Sequence, residues 1–391
     1  MPAVKNHLLS CSVRDRHTPL NMHVLRLTAT SRCIASHFAA QLLILAAGCA
    51  SAPPPIVVQP LAHYAAVVDA RFAGRDGDLV AGNATYRTLT SAIAAAPDSS
   101  PNPFVVFIRN GRYHEKVSVD KANITLRGES RDSTVLTFDA SADALDPAGG
   151  SYGTQGSSTI RVSAPDFRAE HLTIENAFDF RANAARAETD PSKAKNAQAV
   201  ALHLDRGSDR AVIVDCILLG WQDTVYANAG RAWFHDCIIL GQTDFIFGAG
   251  TAVFDDCDIV SRGAGYIAAP STPLLQRFGF VFIGSRLGRE SQAVRKNTVA
   301  LGRPWHPSSN PNVNPNVVYI DCNLDDHILE EGWTQMGGYG PETARFFEYH
   351  DHGVGAVKNP ARRLLSDAEA VRYTPSEVLA GWKPLESAPS R

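Results

Sequence analysis

The chain has 391 residues, 45% hydrophobic and 20% charged, enough apolar matter for a large core and too much for a disordered chain. Lys and Arg total 37 against 40 Asp and Glu, a net charge of −3 with no basic stripe, which excludes a nucleic-acid binder. With 3 Met and 8% aromatic residues, neither a Met-rich docking surface nor an aromatic stacking sheet is expected.

Arg26 and Arg32 precede the apolar stretch 33–48, CIASHFAAQLLILAAG, which His37 and Gln41 interrupt. It is too short and broken for a membrane span and has the layout of a signal peptide. Its end, Leu45-Ala46-Ala47-Gly48-Cys49, is similar to a bacterial lipobox, in which Cys49 becomes the lipidated first residue. The alternative is an ordinary cleavage site with a chance cysteine. Nothing before Met22 fits this layout, so Met22 is an alternative start to Met1. Removing residues 1–48 takes away five basic residues and one acid, moving the charge from −3 to −7. Ala50 after Cys49 points to the outer rather than the inner membrane. Residues 49–60, with Ser51-Ala52-Pro53-Pro54-Pro55, read as a tether, and 61–391 as the folded domain.

Thr88–Ala96 has apolar positions on one face and stops before Pro97, so a short helix is expected there. Gly149-Gly150-Ser151-Tyr152-Gly153 fits the GxSxG pattern of a serine nucleophile elbow. An elbow needs a strand before and a helix after. A Pro/Ala/Asp loop precedes this one and the strand-like STIRV follows, so it reads as a glycine-rich loop.

The central third repeats itself: RAVIVDCILLGWQDTVYANAG (210–230), RAWFHDCIILGQTDFIFGAG (231–250) and TAVFDDCDIVSRGAGYIAAP (251–270). Cys216, Cys237 and Cys257 fall 21 and 20 residues apart, and VVYIDCNL sets Cys322 in the same context. A repeat of roughly 20 residues built from short β-branched runs is one coil of a parallel β-helix. A doubly wound α/β fold would need helices of ten or more residues between strands, and 198–262 has no room for one. Stacked at about 4.8 Å, Cys216, Cys237 and Cys257 fit either a disulfide or a ladder of free thiols. Cys11 and Cys33 would leave with the leader.

Asp223 and Asp244 each lie seven residues after a repeat cysteine, so stacking sets two carboxylates side by side. Paired carboxylates oppose joint ionisation, leaving one neutral acid beside one anion. The same register stacks Tyr226 on Phe247. Gln222 precedes Asp223, and Gln198, 24 residues earlier, fits the preceding rung; their amides can donate to an oxyanion. A polar ladder capping backbone turns accounts for this spacing equally well. Further on, His350-Asp351-His352 reads as an exposed turn rather than a metal site, and no HExxH-type ligand set exists. Ser366 and Glu369 have capping-box spacing and start a second helix over Ser366–Tyr373. Both helices are expected to cover the open ends of the solenoid.

GRYHE (111–115), QAVAL (198–202), GWQDTVY (220–226), DFIFG (244–248) and LGRPW (301–305) resemble the signature blocks of pectin methylesterases, and YGTQGSSTI (152–160), LGRPWHP (301–307) and RFFEY (345–349) are similar to the bacterial branch. The resemblance runs from about Leu61 to Trp382. It implies an all-β, right-handed single-stranded parallel β-helix with short capping helices, acting as a carboxylic-ester hydrolase that frees methanol from pectin. It further implies Asp244 as nucleophile, Asp223 as acid/base, and Gln198 and Gln222 as oxyanion donors. Arg303 would orient Asp244, and Thr154, Gln198, Tyr226, Phe247, Arg303 and Trp305 would contact substrate. Glu115 would either fix a strand end or touch substrate. Neither metal nor organic cofactor is implied; the partners are pectin or methylated oligogalacturonides and, through Cys49, a membrane, for a monomeric protein. Segments 259–270 and 306–317 are shorter than the family pattern, which leaves sugar preference open. The alternative function is an esterase or acyl-CoA thioesterase of the same fold acting on a non-pectin acyl substrate.

Overall fold

The computed structural model describes residues 63–384. The expected leader, the tether and Cys49 lie outside the described residues, as do Cys11 and Cys33. The remainder is a parallel β-helix. A 12-stranded sheet runs through Ala66–Val68, Phe104–Ile108, Ile124–Gly128 and so on to Arg345–Tyr349, all parallel apart from the hairpin partner Asp78–Val80. A 13-stranded sheet forms the other two faces. Those faces merge because two long strands, Ile238–Gly248 and Asp258–Pro270, continue around the corner between them.

The Asp-Cys repeat makes the corner between the first two faces. His171, Asp215, Asp236, Asp256, Asp321 and His350 occupy that corner on successive rungs with φ of 48–55°, and Gly284 fills one rung at 60°. Asp and His tolerate this left-handed region better than most residues, and the following side chain then turns inward. Strand register puts Leu172, Cys216, Cys237, Cys257, Ser285 and Cys322 in one buried column. The four cysteines are free. The Cys216 and Cys237 thiols donate to the Val214 and His235 carbonyls, both at 3.3 Å. Ser285 Oγ likewise donates to the Phe254 carbonyl at 3.1 Å.

Asp351 extends this column, opposite Cys322, so the expected exposed turn is only half right. His350 and His352 are exposed, but Asp351 turns inward and accepts the Cys322 N–H at 2.8 Å. Burial and the Glu348 carboxylate push Asp351 up to about 8. The sequence pattern of two histidines gave no sign of that inward corner.

Inside the first face, Phe234, Phe254, Phe282 and Tyr319 form a buried stack with centroids 4.7, 4.5 and 4.4 Å apart. The first helix spans Leu89–Ala94, packs Leu89, Ala92 and Ile93 into the core, and covers the first coil as expected. Thr88 caps it, and Glu115 accepts the Leu89 and Thr90 N–H groups at 2.9 and 3.0 Å. Glu115 therefore belongs to a helix cap and not to a substrate site.

The C-terminal expectation needs correcting. Ser366 and Glu369 do form a capping box, but the helix is only Asp367–Ala370, followed by Pro375–Val378. Leu365, Val378 and Leu379 pack on Val212, Trp233, Val253, Val281 and Val318, which point outward from the long sheet. Those outward apolar residues draw the helices onto a lateral face instead of an open end. Phe254→Ala, in the middle of the inner stack, should destabilise the fold by about 3–5 kcal/mol in equilibrium denaturation.

Candidate active site

Two short corner loops of the same design set the site, the second a bulged bend within the long strand Ile238–Gly248. Gly220-Trp221-Gln222-Asp223 and Gly241-Gln242-Thr243-Asp244 turn the chain on adjacent rungs, and the strands after them pair Val225 with Ile246 and Tyr226 with Phe247. A Cβ on Gly241 would lie 2.1 Å from Phe245 Cβ, and one on Gly220 2.6 Å from Thr224 Oγ1. Only glycine lets the chain double back so closely. Both aspartates are left-handed, with φ of 67° and 47°. The loops are tied together by Gln242 N–H to the Trp221 carbonyl at 2.7 Å and Asp223 N–H to the Thr243 carbonyl at 3.0 Å. The two carboxyls thus project from equivalent points of neighbouring rungs, a spacing of about 4.8 Å at the backbone.

Their surroundings differ. Arg303, next after the strand Val299–Gly302, donates Nε to Asp244 Oδ1 at 2.8 Å and a terminal nitrogen to Oδ2 at 2.5 Å. A bidentate guanidinium suits an anionic carboxylate. The Arg303 guanidinium also lies 3.8 Å from the centroid of the Tyr266 ring, which fixes its plane. Asp223 is 7% exposed and has no such partner. Burial holds its carboxyl well above the ordinary range, the Asp244 charge adds to this, and Arg303 partly offsets it. One acid is therefore biased towards its protonated form and the other is held by a cation.

Every residue expected at the site lines one cleft of about 620 Å³. Gln198 and Gln222 stand with Asp223, Asp244 and Arg303; Thr154, Tyr226, Phe247 and Trp305 complete the expected set. The rung holding Gln198 is offset by 23 residues rather than 24, since Leu202 pairs with Val225, and the Ala199 N–H donates to the Gln222 carbonyl at 3.1 Å. The Gln198 side-chain oxygen is buried with no hydrogen-bond partner, a polar group left unsatisfied beside the cleft. Tyr226 and Phe247 stack with centroids 4.1 Å apart, and the buried His203 ring continues the stack at 4.4 Å. Both lining rings are buried, so the half-buried Trp305, tilted 5.7 Å from Phe247, offers the more accessible ring.

Sequence reasoning missed Tyr152, Gln155 and Met336 in the lining, and Tyr266 behind Arg303. Tyr152 sits in the quoted block YGTQG, whereas Met336 lies in a loop with no repeat to flag it. A short helix, Gly153–Gly156, follows Ser151, where only a loop was expected. Ser151 itself is exposed, has no strand before it and does not line the cleft. Among the described residues His235, Asp255 and Asp256 bring ligand-type atoms within 4.8 Å of one another, outside the cleft lining.

Residues 79–382 match the family model described as pectinesterase. The chain is 44% identical over 326 residues to Pectinesterase A of Dickeya chrysanthemi, covering 77% of this chain and 88% of that protein. It is 33% identical over 324 residues to a pectinesterase of Daucus carota, covering 78% and 93%. Among solved structures, a pectin methylesterase in complex with a hexasaccharide superposes with a TM-score of 0.77 at 42% identity, over 83% of this chain and 99% of the other. A pectin methylesterase from Erwinia chrysanthemi gives 0.76 at 42% identity, over 82% and 98%.

The raised Asp223 carboxyl makes a stability prediction. Its folded value lies above its unfolded one, so its contribution is fully present at acid pH and declines as pH climbs towards the folded value. Asp223→Asn, which carries no charge to bury, should therefore raise the melting temperature near neutral pH. Below the ordinary carboxylate range, the variant and the parent should melt alike.

Proposed function

This chain belongs to the pectinesterase family, and we propose that it hydrolyses galacturonan methyl esters with Asp244 as nucleophile and Asp223 as acid and base. The observation that carries this reading is the unequal pair: Asp244 gripped by Arg303, Asp223 buried beside it with its carboxyl pushed up. Simple polar ladders need no such division, whereas covalent ester hydrolysis does.

An Asp244 oxygen attacks the ester carbonyl carbon, and the carbonyl electron pair moves onto oxygen. The Gln198 and Gln222 amides donate to that oxyanion. As the carbonyl re-forms, the bond to methoxide breaks and Asp223 gives it a proton, so methanol leaves. An anhydride now joins Asp244 to the sugar acid, and Asp223 is an anion. It takes a proton from water while the water oxygen attacks the acyl carbon. The bond to Asp244 breaks, and both aspartates return to their starting states. Each cycle consumes one water and yields one methanol and one free carboxyl group on the galacturonan. Trp305 stacks on a sugar ring and Thr154 touches the chain from the cleft wall.

The test is methanol release by residues 61–391 from methylated polygalacturonate and from its methylated oligomers. Asp244→Ala should abolish release from both, and Gln222→Ala should lower kcat by about 10²–10³. A folded protein that releases methanol from neither substrate would sink the reading and point to other acyl esters or thioesters.

We further infer export and anchoring through a lipid on Cys49, with short oligomers that reach the envelope as substrates. The supporting features are the 33–48 stretch and the lipobox-like 45–49. Cys49→Ser should move the full chain from the membrane fraction to the soluble one on cell fractionation. Equal rates on long polymer and short oligomers would count against the oligomer preference.

A further inference from the structure

One wall of the cleft, Tyr152, Gly153, Thr154 and Gln155, rides on the four-residue helix Gly153–Gly156. A helix this short leaves its last carbonyls without intrahelical donors. It has glycine at both ends, Gly153 lies at φ 62°, and no side chain caps its start. Intrinsic propensity does not hold such a segment in place.

Lys116 meets this segment from the solenoid. It stands between the strands Gly111–His114 and Val117–Val119, where the Glu115 and Val117 N–H groups bond to the Thr137 and Thr159 carbonyls at 3.0 and 2.8 Å. Its Nζ donates to the Gly156 carbonyl and, at 2.7 Å, to the Ser158 carbonyl. The same ammonium lies 4.6 Å from the centroid of the Tyr152 ring and 5.4 Å from that of Phe138. One cation therefore ties the end of the helix and the ring before its start to the same rung. The Ser157 and Ser158 hydroxyls donate to the Thr154 and Gln155 carbonyls at 2.8 and 3.0 Å, closing the wall on itself.

We propose that Lys116 is a positioning residue for substrate binding, holding the Tyr152–Gln155 wall where it meets the sugar chain. This rests on the esterase reading, in which that cleft takes the galacturonan. Lys116 does not line the cleft, so its loss acts on affinity rather than on the chemical step.

Burial pushes the Lys116 ammonium down to about 8. The groups around it are Tyr152 from the wall, Phe138, and beyond Phe138 His114, which stacks on that ring at 4.9 Å and bonds Asp139 at 3.2 Å. Its neighbour Glu115 is engaged by the helix Leu89–Ala94. The folded value lies below the unfolded one, so losing this proton does not cost fold stability as pH rises. It removes the charge that attracts the Tyr152 ring and strengthens the two carbonyl bonds. Affinity should accordingly weaken above about pH 8 with no parallel fall in melting temperature that is due to this group.

The experiment uses the Asp223→Ala chain, which the proposed mechanism makes inactive, and calorimetry with a fully methylated hexagalacturonate. Adding Lys116→Met should raise Kd by about five- to tenfold and remove the weakening above about pH 8, whereas Lys116→Arg should stay within about twofold. Hydrogen exchange over residues 152–158 should speed up by about tenfold in Lys116→Met and stay slow elsewhere in the solenoid. In chains with Asp223 intact, Lys116→Met should raise KM and leave kcat within about twofold. Unchanged exchange, or unchanged affinity with the parent still binding, would overturn the inference alone. A parent that does not bind the hexamer would overturn the substrate reading and this inference with it. A Lys116→Met chain that fails to fold, with Lys116→Arg no better than it, would make Lys116 a residue of the fold and also refute the proposal.

Discussion

Parallel stacking brings each corner of one rung to within about 4.8 Å of the same corner on the next. Inside the coil that repetition is favourable: Phe234, Phe254, Phe282 and Tyr319 gain ring contacts by lying over one another. Thiols tolerate it because each donates to its own rung's carbonyl. At the corner after Gly220 and Gly241 the same repetition is unfavourable, because the stacked side chains are carboxyls. The fold holds them together through backbone bonds between the two loops, which do not depend on either side chain. The chemistry of the site starts from this imposed proximity.

A symmetric pair would share one proton without preference. The symmetry is broken from two rungs beyond Asp244, where Arg303 follows a strand that pairs with Asp258–Pro270. Its guanidinium reaches Asp244 and leaves Asp223 without a direct partner. Tyr266, on that same neighbouring strand, lies over the guanidinium and limits its swing. Four consecutive rungs therefore supply Asp223, Asp244, Tyr266 and Arg303 in turn, and each side chain's surroundings follow from which rung carries it.

This arrangement explains what could be read from the sequence. Spacing between Cys216, Cys237 and Cys257 reveals the coil, and counting seven residues onward finds Asp223 and Asp244, because the register is regular there. The reason for the Asp in Asp-Cys is invisible until its left-handed φ is known. Asp351 is hidden because its rung carries His350 in place of that Asp, which masks the corner. The lateral seat of the C-terminal helices is not legible, because strand pattern does not show that Trp233, Val253 and Val281 face outward and need covering. Met336 and Lys116 gave no signal, since neither lies in a repeating stretch.

The proposed catalytic and binding parts thus sit on different kinds of structure. Asp223, Asp244 and Gln222 ride on the regular coil, where moving one residue would require shifting a rung against its neighbours. Thr154, Gln155 and Met336 ride on segments that leave the coil, and these can change length or sequence without disturbing the stack. Segment 306–317 belongs to this class, whereas 259–270 does not. Ile259–Pro270 is held as continuous strand, while Pro307–Ser309 is a single turn of 3₁₀ helix beside Trp305. A solenoid can therefore keep one reaction fixed while its loops set which chain of sugars reaches it. In this molecule the separation is incomplete at one point, because a lysine of the coil reaches out to hold the wall.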